Sequence, residues 1–121
     1  MRAAFTIEGR MPSLNDYVAA ERANRFKAAA MKRRETARAR DAALAARVPA
    51  FLGPVTVRFL WVEESRRRDL DNVAFAKKFV LDGLVEAGVL PNDGQRHVVG
   101  LQDTFERDPR RPRVVVEVRE A

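Results

Sequence analysis

Two aspartates separated by a single leucine, Asp69 and Asp71, follow three consecutive arginines, Arg66, Arg67 and Arg68, and precede Asn72. A helix-patterned segment then carries Lys77, Lys78 and Asp82, and the turn Pro91-Asn92-Asp93-Gly94 supplies one more carboxylate. Carboxylates embedded in dense positive charge suit a site that holds a divalent cation against a polyanion. Mg²⁺ takes hard oxygen donors, commonly few protein carboxylates, and completes its octahedron with water and substrate phosphate. If the chain is extended at the end of a strand, Asp69 and Asp71 project to one side about 7 Å apart along the backbone. Their side chains then converge on one ion or flank two, and Asp93 completes the set if a helix hairpin returns the turn to the strand end. The chemistry expected of such a set is metal-assisted hydrolysis of a phosphodiester, with Mn²⁺ as a substitute for Mg²⁺.

Lys78 lies seven residues after Asp71, which at about 100° per residue puts the two within about 20° on one face of a continuous helix. There it would stabilise charge developing on the phosphate or the leaving oxygen. Each feature also has a plainer reading. Lys78 and Asp82 are spaced as an i,i+4 ion pair, and Asp71 or Asn72 suits a helix cap. His97, the only histidine, is expected to be structural.

These groups need a scaffold. Ala3–Glu8 is short, partly alternating and β-prone, so it reads as a strand. From Tyr17 to about Arg47 there is no Gly or Pro, and Ala, Arg, Lys and Glu dominate, which predicts one long helix or two broken near Asn24. Pro49 and Gly53-Pro54 close it. Val55–Glu63 alternates as a strand, with Trp61 expected in the core rather than stacked on a base. Asn72–Ala87 is predicted as a second helix with Val73, Ala76, Phe79, Val80, Leu84 and Ala87 inward and Gly88 at its C-terminus. His97–Phe105 and Arg113–Val118 read as strands, joined by a turn at Asp108–Pro112 for which a hairpin connection is one reading. The order β-α-β-α-β-β predicts a single α+β (mixed α/β) domain spanning 1–121, a small mixed sheet packed against two main helices.

The chain has 121 residues, 23 Lys and Arg against 17 Asp and Glu, a formal charge of +6, and no cysteine. Disulfides, zinc–thiolate sites and thiol nucleophiles are excluded, in keeping with a reducing cytoplasm as the expected location. No apolar run is long enough to cross a bilayer, so no membrane partner is expected. The positive balance favours nucleic acid, because the planar fork of arginine matches phosphate oxygens two at a time. Arg25, Lys27, Lys32, Arg33 and Arg34 lie on the basic helical segment and, with Arg66, Arg67, Arg68 and Asn15, are the candidate DNA-binding residues. Phe26, inside the basic run Asn24-Arg25-Phe26-Lys27, has two readings: core packing, which is favoured, or a wedge in the unstacked centre of a DNA junction.

Taken together, Pro12-Ser13-Leu14-Asn15 with Tyr17, Arg67-Arg68-Asp69-Leu70-Asp71-Asn72, Asp82-Gly83-Leu84, Ala87-Gly88 and Asp93 resemble the RusA family of Holliday-junction resolvases. The match covers most of the chain, and its specificity lies in the ordered combination. The resemblance implies a RusA-like fold, Asp69, Asp71 and Asp93 as metal-binding catalytic carboxylates, and a catalytic lysine in the second helix. It also implies a Mg²⁺-dependent homodimer that nicks opposed strands of a four-way junction symmetrically, in DNA recombination and repair, with no small-molecule cofactor. The helix between Asp71 and Asp82 is about three residues longer than in the shortest members. The lysine's register is therefore open between Lys77 and Lys78, and counting back from Asp82 selects Lys78. The rival readings are a non-catalytic basic DNA-binding dimer and another D-x-D metal-dependent phosphohydrolase or a sugar-nucleotide transferase.

Overall fold

The computed structural model covers residues 1–121. Its elements run β1 (Arg2–Glu8), α1 (Leu14–Ala23), α2 (Arg25–Ala45), β2 (Val55–Glu63), α3 (Leu70–Ala74), α4 (Lys77–Glu86), β3 (Val98–Arg107) and β4 (Arg113–Glu120). The strands form one sheet in the order β1-β4-β2-β3. β2 is parallel to β3 and antiparallel to β4, and β4 is antiparallel to β1. The domain is α+β with a mixed sheet, as the element pattern predicts.

Strand alternation builds the core. β2 turns Val55, Val57, Phe59 and Trp61 inward, β4 adds Val114, Val116 and Val118, and β1 adds Phe5 and Ile7, all buried. Phe79, Val80 and Leu84 of α4 are buried in the same cluster of 22 residues, which spans the chain from Phe5 to Val118. Fully burying each large apolar side chain stabilises the fold by about 1.5–3 kcal/mol. Trp61 takes its core position, and its indole N–H donates to Asp103 at 2.9 Å.

The link Asp108–Pro112 is not a hairpin. β3 and β4 lie on opposite sides of β2, so this link carries the chain past the end of β2. Burial explains the order. β4 is lined by fully buried valines and suits the interior, whereas β3 contains Gly100 and leaves Val99 and Leu101 exposed, as an edge strand does.

Both long helical segments are broken. Asn24 is extended (φ −173°, ψ 157°), ends α1, and caps α2 by accepting the Lys27 N–H at 2.9 Å. The predicted helix Asn72–Ala87 is two helices, α3 and α4. At Phe75 and Ala76 the backbone stays helical, but the hydrogen bonds tighten to i−3: Ala76 to Val73, Lys78 to Phe75 and Phe79 to Ala76. Such a turn advances about 20° more per residue than an α-helix, so Asp71 and Lys78 sit on two successive helices rather than on one continuous one.

Where α2 and α4 pack, side chains are small. Ala39 and Ala43 of α2 are buried, and at Gly83 an added Cβ would lie 2.7 Å from Ala39 Cβ and 2.9 Å from the Thr36 carbonyl. The alanine-rich composition of α2 therefore serves close helix packing as well as helix propensity. Phe26 departs from its favoured core reading: its side chain is 72% exposed at the start of α2.

Candidate metal and nucleic-acid site

The start of α3 is held from two directions. Arg68 gives two hydrogen bonds to the Glu63 carboxylate, at 2.7 and 2.9 Å, and one to the Met11 carbonyl at 3.0 Å. Its guanidinium also lies 3.6 Å from Asp16, and its side chain is only 14% exposed. Of the three arginines expected to hold phosphate, this one clamps β2 to the approach to α1. From the other side, the Asn15 backbone N–H donates to Asn72 Oδ1 at 3.0 Å. Ser13 and Asp16 form a reciprocal cap at the head of α1, and Tyr17 lies 5.5 Å from Phe75 and 6.3 Å from Phe79, ring centre to ring centre.

Asp69 and Asp71 sit in this frame. Asp69 is the N-terminal flanking residue of α3, exposed, and its carboxylate makes no capping bond. Asp71, in the first turn, accepts the Asn72 N–H through Oδ1 at 2.9 Å. The pair therefore opens a short helix rather than extending a strand, and the extended-chain spacing does not apply. The first N–H groups of a helix lack intrahelical partners and favour negative charge nearby.

The two adjacent lysines go to different partners. Lys77 pairs with Asp103 on β3, the carboxylate that also takes the Trp61 indole N–H. Lys78, 53% exposed, stands 3.1 Å from Asp82 and 3.5 Å from Asp93. The hydrogen bond it donates to Asp82, with the charge of Asp93 added, holds its pKa above the ordinary lysine value against the opposing effect of partial burial. Asp93 is presented by a turn in which Asn92 Oδ1 accepts the Gly94 N–H at 2.8 Å. Asp82, Asn92 and Asp93 border a cleft of about 330 Å³ whose α2 side is Lys32, Arg33 and Thr36.

Asp69, Asp71 and Asp93 do not converge: no three acidic or histidine side chains come close enough together to hold a metal ion. Asp93 lies beside Lys78, 3.5 Å from its ammonium. The donor chemistry at the head of α3 nevertheless fits Mg²⁺, which takes one or two carboxylates and fills its other positions with water and phosphate.

Arg66 and Arg67 are exposed, and Arg67 borders a second cleft, of about 520 Å³, with Arg10, Glu63 and Glu64. Asn15, Arg25, Lys27, Lys32, Arg33 and Arg34 are all exposed, although Arg34 also pairs with the buried Glu35 at 3.3 Å. His97 has a backbone role, with its N–H bonded to the Gly94 carbonyl and its own carbonyl accepting from Val55. Sequence reasoning missed Asp103, which has no local signal, and the Lys32–Arg33 wall of the cleft, which needs the packing of α2 on α4 to be seen. The chain matches no protein-family model and no curated protein.

Proposed function

We propose that this chain is a Mg²⁺-dependent, structure-selective endonuclease that resolves four-way DNA junctions, acting as a homodimer. The observation that carries the reading is the separation of the two lysines. Lys77 is tied to Asp103 within the fold, while Lys78 stands half-exposed between Asp82 and Asp93 at a cleft with cations on its other wall.

Asp69 and Asp71 are the residues that would hold the metal, with Asp93 as the third carboxylate on the side of Lys78. When bound, the cation supplies Lewis acidity toward the phosphoryl oxygens. Lys78, whose pKa is held above the ordinary lysine value chiefly by its hydrogen bond to Asp82, acts electrostatically, stabilising negative charge that builds on the phosphate in the transition state. Arg66, Arg67 and the cations of α2 hold neighbouring phosphates and set position rather than sequence preference. A four-way junction has symmetry-related strands, and a twofold dimer presents one site to each.

The test is incubation of the protein with an end-labelled four-way junction, with and without Mg²⁺. Paired symmetric nicks that require the metal are expected. Metal-independent binding with no nicking would replace the nuclease by a non-catalytic DNA-binding dimer.

A further inference from the structure

Phe26 is the one aromatic residue among the exposed large apolar residues, at 72% exposed. It is not merely unburied. The Arg25 guanidinium lies 5.2 Å from the ring centre, within the range of a cation–π contact that steadies the ring. The surrounding charge is one-sided: from residue 21 to residue 34 there are Arg22, Arg25, Lys27, Lys32, Arg33 and Arg34 against Glu21 alone. A second copy of this surface would be repelled, whereas a polyanion is attracted.

Position along α2 adds a second constraint. Phe26 and Arg33 are seven residues apart in one helix, so they lie within about 20° on the same face and about 10 Å apart along the axis. Arg33 lines the cleft that also contains Asp93. An exposed ring thus shares a cationic stripe with Arg33 at the wall of that cleft, at a distance of about three base steps of a stacked strand at 3.4 Å each. Aromatic rings among cations bind single-stranded nucleic acid in this way, because every base has a face that stacks.

We propose that Phe26, steadied by Arg25, is a stacking platform for an unpaired nucleobase, about three base steps along α2 from Arg33 at the wall of the Asp93 cleft. The proposal rests on the DNA-binding part of the function above, and adds to it the reason for selecting branched over intact DNA. A duplex keeps its bases stacked on one another and offers none to the ring, whereas a junction centre or a single strand does.

The test is binding in EDTA, so that cleavage plays no part. The probes carry 2-aminopurine at the crossover of a four-way junction, in a single strand, and within an intact duplex. Wild-type protein is expected to change the 2-aminopurine emission in the first two and not in the third. Phe26→Ala should abolish that change and weaken junction and single-strand binding about five- to hundredfold, the range of one base–aromatic stack. Duplex binding and melting temperature should stay as in the wild type, and Phe26→Trp should restore the lost affinity.

Equal binding of Phe26→Ala and wild type to junction and single strand would overturn the platform, as would a loss shared equally with the duplex. Sedimentation showing that Phe26→Ala turns a dimer into a monomer, with the emission change intact, would assign the ring to self-association instead. Nicking in Mg²⁺ is scored separately. A wild-type protein that does not nick but changes the emission loses the nuclease reading and keeps the platform.

Discussion

Asn72 accepts the backbone N–H of Asn15 through its side-chain oxygen at 3.0 Å, across 57 positions of sequence. The bond joins the two segments that read most distinctively in the sequence, the approach to α1 and the aspartate-rich head of α3. Arg68 makes the same connection from the other side by reaching Glu63, Asp16 and the Met11 carbonyl. The carboxylates of Asp69 and Asp71 are therefore mounted on a braced support. Functional side chains hold their geometry when the residues beside them are locked in this way.

Gly83→Ala should destabilise the fold by about 1–3 kcal/mol, the usual penalty for forcing a group into a packed contact. The added methyl would meet Ala39 Cβ at 2.7 Å and backbone atoms of Arg40 and Thr36 at 2.8 and 2.9 Å, and backbone cannot swing aside. Chemical denaturation reads the effect directly. An unchanged midpoint would mean that α2 and α4 stand further apart than described.

Much of the scaffold was legible because its signals are local. β2 alternates from Val55 to Glu63, and Asn24 is a residue type that caps helices, so the strand and the first break could be read without tertiary information. The second break was hidden because Phe75 and Ala76 are ordinary helical residues, with no Gly or Pro to mark the tightened turn. The position of β4 between β1 and β2 depends on which strands are buried on pairing, and turn chemistry does not encode that. Arg68 differs from Arg66 and Arg67 in having Glu63, Asp16 and the Met11 carbonyl within reach, partners that only the fold brings to it. Phe26 shares the same limitation, because its exposure depends on what packs around the start of α2 rather than on its neighbours in sequence.

Lys78→Ala should lower the nicking rate by about a hundredfold or more, the cost of losing one preorganised charge partner, with a much smaller effect on junction affinity. Lys77→Ala should instead lower the melting temperature, because it strips Asp103 of its cation beside the Trp61 indole. The pH profile separates the roles further. Asp82, with Asp93, raises the Lys78 pKa above the ordinary lysine value, so its charge persists past the pH at which a free lysine titrates. The stability this pairing gives is fully present below the unfolded value and is lost as pH rises through the folded one. Nicking should accordingly show no alkaline fall from Lys78 below about pH 10. If Lys77→Ala abolishes nicking in a protein that melts normally, the assignment of the two lysines is reversed.

The carboxylates provide the sharpest test, because Asn preserves shape and removes charge. Asp69→Asn and Asp71→Asn should each abolish or severely reduce nicking, while binding to a four-way junction in EDTA survives or strengthens. Without metal, each carboxylate repels the incoming phosphate, and the substitution removes that repulsion. If these residues only started a helix, Asn would serve equally well, since it caps as effectively as Asp. Asp69 makes no capping bond to lose. Asp93→Asn should also lose nicking, and a metal titration tells why. A higher Mg²⁺ requirement makes Asp93 a ligand, whereas an unchanged requirement with a slower rate makes it the partner that positions Lys78, 3.5 Å away. Asp82→Asn is the internal control. Its 3.1 Å pairing with Lys78 is an i,i+4 contact on one helix, and a lysine also facing Asp93 should remain in place without it. Most activity should therefore remain. Folded Asp69→Asn and Asp71→Asn proteins that still resolve junctions in Mg²⁺ would remove the head of α3 from the chemistry and leave the basic helix as a binding surface alone.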